Sequence, residues 1–190
     1  MKNKDKILRI IHKDGCRSEI SEEKAVVFTK SGRTSLTVRF GRVMTCFLSV
    51  NGEGEYRKHV GFEGVRHHLE WFLFHSPRID MLHEIVIPPE STANHLCGFI
   101  EIHTGRIVLT VEVGNPEFWA SSKFRITENC GEYVPLCFSV LDKDPNKALA
   151  EVIKKSNLKM SEIYRNSVSA EKSMIYLNSF VENGEYNDAA

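Results

Sequence analysis

The sequence predicts an α+β fold: a mainly antiparallel β-sheet body with one packed helix and a C-terminal cluster of two or three helices. Three observations carry that prediction. Residues 98–113 alternate apolar and polar on either side of a glycine turn. Val65, Leu69 and Phe72 recur at helical spacing in the middle of the chain. After residue 142 the alternation stops, and Asp144-Pro145 opens a run of helical spacing. The chain has 190 residues. That length suits one domain, or one domain with a small appendage. The organisation read from it is a β-rich body with a central helix over 1–142 and a helical C-terminal subdomain over 143–190.

Taken in order, Ile7 to His12 is a short isoleucine-rich run, read as a strand, and Ala25 to Thr29 is a second. Leu36, Val38 and Phe40 alternate with Ser35, Thr37 and Arg39, as a half-buried strand requires. Gly41-Arg42 then separates them from Val43 to Val50, which predicts a hairpin over 34–50 closed by a two-residue turn. Gly52-Glu53-Gly54-Glu55 reads as a loop before the helix at about 63–76, which Pro77 ends or restarts. The hairpin over 98–113 turns at Thr104-Gly105, with Ile102 facing Ile107 and Ile100 facing Leu109. That register puts Ile100, Ile102, Ile107, Leu109, Val111 and Val113 on one face. Further strands fall at 84–88, 122–128 and 133–141, for six to eight in all. In the tail, Asp144 is an N-cap with Pro145 at the first helical position. Asn157-Leu158 reads as a turn, and Ser161 and Ser169 as caps of two further helices.

Composition excludes more than it assigns. Lys+Arg and Asp+Glu are both 25, so the formal net charge is zero. Residues 1–95 carry 15 basic and 12 acidic groups, and residues 96–190 carry 10 and 13. Neither half has the positive field of a dedicated nucleic-acid binder. The five cysteines are odd in number and none makes a Cys-x-x-Cys pair, which argues against a disulfide framework or a cysteine-rich zinc site. No apolar run reaches the length of a membrane span, and no signal-peptide core opens the chain. The expectation is a cytoplasmic protein with no membrane partner.

The helical tail is the first functional candidate. A helix, a short turn, a helix of about two turns and a further helix from Ser169 resemble the layout of a helix-turn-helix, as in many bacterial repressors. The resemblance implies double-stranded DNA as partner. Residues 143–172 hold seven basic and four acidic groups. Lys154, Lys155, Lys159, Arg165 and Lys172 would meet phosphates, and Ser173 and Tyr176 would reach base edges. Against this, the recognition helix would carry one lysine and no arginine, and arginine is the commonest reader of guanine. The competing reading is a helical cap packed on the sheet, with solvated lysines.

Three histidine sets are candidates for chemistry. His59, His67, His75 and His83 recur every eight residues, but eight residues advance a helix 80° past two turns, so they share no face. His68 and His75 share a face about 10.5 Å apart, too far for one ion. Histidines among aromatic residues here read as packing groups at the rim of a core. A straight strand through His95, Cys97, Glu101 and His103 would point all four to one face, without a full metal set. Asp80, His83 and Glu84 would meet on a short helix and could form an acid–base site, though a local salt bridge explains them as well. No phosphate-binding loop, nucleophile elbow, His-Glu-x-x-His or dinucleotide fingerprint is present. No catalytic residue, metal ligand or cofactor is assigned. Three functions therefore stand: a regulator with a helix-turn-helix-like C-terminal DNA-binding segment, an interaction or accessory protein with no nucleic-acid role, and an enzyme with an unmarked His/carboxylate site. The balanced charge and the missing motifs favour the second over the third, the helix layout keeps the first, and the expectation is a non-enzymatic binding or regulatory protein, most concretely the DNA-binding regulator. The interaction reading predicts an exposed apolar patch at Phe118-Trp119, after the Asn115-Pro116 turn.

Overall fold

A computed structural model describes the chain apart from residues 1, 97, 127–132, 164–176, 178–180 and 183–190, and apart from the side chains of 55–57, 162 and 163. The fold is α+β, with two antiparallel sheets rather than one. The chain divides into two compact units, Met1–Asp80 and Met81–Ala190.

The first unit opens with helix α1 (Lys2–Asp14), where the sequence reading placed a strand. Isoleucine favours strands, but Ile7 and Ile11 lie one helical turn apart, and both are buried. Asp5 in the first turn and His12 and Lys13 in the last complement the helix dipole. Strands β1 (Ser18–Ile20), β2 (Lys24–Phe28), β3 (Thr34–Arg39), β4 (Thr45–Val50) and β5 (Glu53–Val60) then form a five-stranded meander in chain order. The 34–50 hairpin is present, but Arg39 pairs with Thr45, so five residues and not two connect its strands. The tight turn lies one strand later. Val50 pairs with Glu53, and Asn51 and Gly52 between them take φ of +52° and +78°. That is the left-handed pair a type I′ turn needs, and Asn-Gly is its commonest sequence. The expected loop at 52–55 is therefore the start of a strand.

Helix α2 (Phe62–Leu82) runs straight past Pro77. Proline has no N–H to give the carbonyl of Leu73 four residues back. The Ser76 hydroxyl donates to that carbonyl instead, at 3.3 Å, so the backbone acceptor stays satisfied. Val65, Leu69 and Phe72 are fully buried, as their spacing predicts.

The second unit holds β6 (Thr92–Leu96), β7 (Phe99–Thr104), β8 (Ile107–Glu112), β9 (Phe118–Arg125) and β10 (Tyr133–Asp142), again a five-stranded antiparallel meander. The β7–β8 hairpin turns at Gly105-Arg106, because Thr104 pairs with Ile107 and Ile102 with Leu109. The expected register is thus off by two residues. A shift of two keeps every side chain on its face. Ile100, Ile102, Ile107, Leu109 and Val111 are all fully buried, as predicted. No strand forms at 84–88.

Helix α3 (Pro145–Ile163) packs on β8, β9 and β10. The Asp144 carboxylate accepts the N–H groups of Asn146 and Lys147 at 2.9 and 3.3 Å, the predicted cap. Ala148, Leu149, Val152, Ile153 and Met160 form its buried stripe. Burying a Leu, Val or Ile side chain is worth roughly 1.5–3 kcal/mol, so this face ties the helix to the sheet. The helix is continuous through Asn157 and Leu158, where a turn was expected. The apolar spacing continues through those two residues to Met160, and neither is glycine or proline. Over 145–163 there is thus one helix where the sequence predicts two. Leu177 and Val181–Glu182 are also helical, with Leu177 buried. Ser161 lies within α3 and opens no new helix, and the cap expected at Ser169 lies outside the described residues.

Candidate functional site

The residues proposed to bind DNA divide into two groups. Lys154, Lys155 and Lys159 are exposed on the outer side of α3, away from its buried stripe. Lys155 lies 3.8 Å from Glu151 one turn back. Arg165, Lys172, Ser173 and Tyr176 lie outside the described residues. The helix break that would separate the first and second helices of a helix-turn-helix is absent, as α3 passes through it.

The histidines pack in rings rather than gather as ligands. In the first unit His59 of β5 stacks on His68 with centroids 4.2 Å apart, and His68 lies parallel to Trp71 at 5.5 Å. Trp71 meets His75 at 5.0 Å, and Phe74 meets the same ring edge-on. His68 and His75 are buried in this column. Burial, aided by the Arg78 cation, pushes the His75 pKa below its ordinary value. The set at 95–103 is split because the chain reverses between Leu96 and Phe99. His95 pairs with Ile100, whereas Asn94 pairs with Glu101 and Thr92 with His103, so His95 points to the opposite face from the other two. His95 instead stacks on His83 at 4.7 Å. Cys97 lies outside the described residues. Asp80 is engaged elsewhere: the Ser31 N–H and hydroxyl donate to its carboxylate at 2.8 and 2.5 Å. That bond pair closes the β2–β3 loop onto α2. Among the described residues no three His, Cys, Asp or Glu groups are placed to hold a metal ion.

A cavity of the first unit, about 780 Å³, is lined by Lys4, Glu22, Glu23, Phe40, Arg42 and Phe62 among others. Lys4 donates to the Glu22 carbonyl at 2.7 Å and lies over the Phe40 ring. The lining holds no His, Cys, Ser or Tyr. It therefore offers no imidazole base or activated nucleophile. Cys46 is buried in β4, and its thiol is pushed up to about 11 by that burial.

The feature that stands out is on the second sheet. Of the predicted pair, Phe118 is fully buried and Trp119 is 56% exposed. Successive strand residues point to opposite faces, so the two were bound to part. Leu141 lies directly across from Trp119 on β10 and is 53% exposed. Phe138, on the same edge strand, is 84% exposed, and Tyr133 is 36% exposed. The order of β10 explains how so many apolar groups face out. Its register shifts twice, between Pro135 and Cys137 and between Cys137 and Val140. Leu136 and Cys137 both point in, and Phe138 and Ser139 both point out. Phe138 thereby joins Trp119, Leu141 and Tyr133 in a ribbon along β9 and β10. Simple alternation over 133–141 could not reveal it.

The ribbon has a built seat. A side chain at Gly114 would meet the Glu117 carbonyl and, at 2.8 Å, the Trp119 indole. Only glycine lets the indole lie against the backbone of the Val113–Phe118 loop, which holds a cis Asn115-Pro116 bond. Trp119 is thus positioned on one side and open on the other. At the far end Lys123 and Arg125 lie over the Tyr133 ring at 4.5 and 5.6 Å, and Arg125 donates to its hydroxyl at 3.2 Å. Lys123 also lies 3.8 Å from Glu101, which in turn lies 3.8 Å from His103.

Set against known proteins, the chain matches no family model, no curated protein and no solved structure. Among the described residues no helix is long and apolar enough to cross a membrane.

Proposed function

We propose that this chain is a non-enzymatic binding protein, working in the cytoplasm, that engages a protein partner through the outer face of β9 and β10. One observation carries the reading: Trp119, Leu141 and Phe138 are each more than half exposed on one ribbon, although each would be buried in an ordinary core. Single exposed apolar residues are common, but a contiguous aromatic row is the usual anchor of an interface. The cavity of the first unit and the separated histidines give an enzymatic reading less to stand on.

The test compares baits. Wild type, Trp119→Glu and a Lys154→Ala, Lys155→Ala, Lys159→Ala triple variant are used to capture partners under matched conditions. A partner held by wild type and the lysine variant but lost by Trp119→Glu supports the reading. A partner held equally by all three overturns it.

The DNA-binding regulator, the most concrete expectation from the sequence, is the second reading here, on the strength of Lys154, Lys155 and Lys159, all exposed on α3. It predicts binding to heparin and duplex DNA that falls steeply with salt and is lost in the triple variant. No binding at low salt would end it.

A further inference from the structure

We infer that the ribbon is self-complementary and that its occupant is a second copy of this chain. The inference rests on the interaction reading and names its partner.

The ribbon is polarised in charge. At one end the exposed Glu112 lies directly across from Trp119. At the other, Arg125 and Lys123 gather at Tyr133, with Glu101 3.8 Å from Lys123. Six residues of β9 separate Trp119 from Arg125, about 20 Å at the rise of a strand. Between the two ends lies Phe138, on the stretch of β10 that crosses Ser121. A two-fold axis in the plane of the interface, perpendicular to β9 and passing near Ser121, lays each end on the opposite end of the second copy. Glu112 then faces the Arg125 and Lys123 cations of the second copy, and its Trp119 ring faces the same cations. Phe138 meets Phe138. Each contact occurs twice, as an isologous interface requires. A row with the same charge at both ends could not do this.

The geometry of β10 also decides how the copies meet. It is the edge of its sheet, and an open edge could pair with another strand. Pro135 gives no N–H, and the two register shifts break the row of backbone groups. Extension of the sheet at β10 is therefore blocked, and at this strand association face to face through side chains is left.

Sedimentation equilibrium over a wide concentration range tests this on the full chain, with circular dichroism to confirm that each variant is folded. Wild type is expected to dimerise, more weakly as salt rises. Phe138→Ser, at a position too exposed to matter for folding, is expected to abolish the dimer. Glu112→Arg and Arg125→Glu are each expected to weaken it by at least about tenfold. The double swap, Glu112→Arg with Arg125→Glu, is expected to restore it in part, since the 112–125 pair is then rebuilt with reversed sign while Lys123 and the cation over the Trp119 ring are not. A chain that is monomeric at every concentration overturns the inference. So does a dimer that ignores Phe138→Ser, or one that the double swap does not restore even in part. A monomeric chain whose partner capture still depends on Trp119 would overturn the self-association and leave the interaction reading standing.

Discussion

The two sheets have the same number of strands in the same meander order, yet they treat their faces differently. In the first sheet the central strands are buried on both sides: Leu36, Thr37 and Val38 in β3, and Cys46, Phe47 and Leu48 in β4. Phe47 lies on the face away from Leu36 and Leu48, with the Arg39 guanidinium over its ring at 4.6 Å. In the second sheet one face is buried with little exception, while the other presents Trp119, Phe138 and Leu141. An aromatic residue on an outward row is a packing group in the first sheet and a free surface in the second. The difference teaches that sheet topology alone does not locate a binding surface. Which outward rows stay uncovered does.

The largest expected effect tests that contrast directly. Phe47→Ser should cost about 3–5 kcal/mol, in the range of deleting a buried aromatic side chain. Compared at concentrations where the chain is monomeric, Phe138→Ser should change stability by no more than about 0.5 kcal/mol, as for an exposed surface position. Urea unfolding of the two variants beside wild type checks both. Equal losses would erase the distinction between the sheets.

The next effect concerns what holds α3 on the second sheet. Ser156 is fully buried, and its hydroxyl donates to the Val152 carbonyl at 2.5 Å. Its one proton is thereby engaged, so Ser122 of β9 is the donor in the 2.5 Å bond between the two hydroxyls. Ser156→Val removes the acceptor and leaves the buried Ser122 hydroxyl without it, at an expected cost of about 1–3 kcal/mol. The Ser122→Ala, Ser156→Ala double variant should lose less than the sum of the two single alanine variants, because neither leaves an orphan in the presence of the other. Strict additivity in a double-mutant cycle would show that the pair does not couple helix to sheet.

How much of this was legible in the sequence depended on the kind of signal. Faces were legible. The buried set of β7 and β8 came out whole although the register was two residues off, because face depends only on parity. The α3 cap was legible because Asp144-Pro145 is a local chemical signal. Breaks and connections were not. Asn157-Leu158 resembled a turn in isolation, yet the apolar spacing on both sides of it carries the helix through. Pro77 resembled a helix end, and Ser76 offsets its missing donor. Asn51-Gly52 was a strong hairpin signal that the glycines after it obscured. The site was half legible: Trp119 was in view beside its proline turn, whereas Phe138 and Leu141 join it only through two irregularities of β10 that no periodicity marks.

The smallest effect sharpens the comparison from the other side, in the histidine column of the first unit. His75 is buried between Trp71 and Phe74, and burial with the Arg78 cation lowers its pKa in the folded chain. The unfolded chain then binds more protons than the folded one once the pH falls below the ordinary histidine value, about 6.5. Stability must therefore rise with pH across that window, and the contribution of His75 is fully present above it. As pH falls through about 6.5 that contribution is lost, until the folded-state pKa is reached and the slope flattens. Thermal unfolding of wild type should show a lower midpoint at about pH 5.5 than at about pH 7.5. His75→Phe keeps a ring between the same neighbours and removes the proton site, so its midpoint should fall less over the same interval. An identical fall in both would mean that His75 does not set the acid sensitivity of the first unit, and that its burial beside Trp71 is a matter of packing alone.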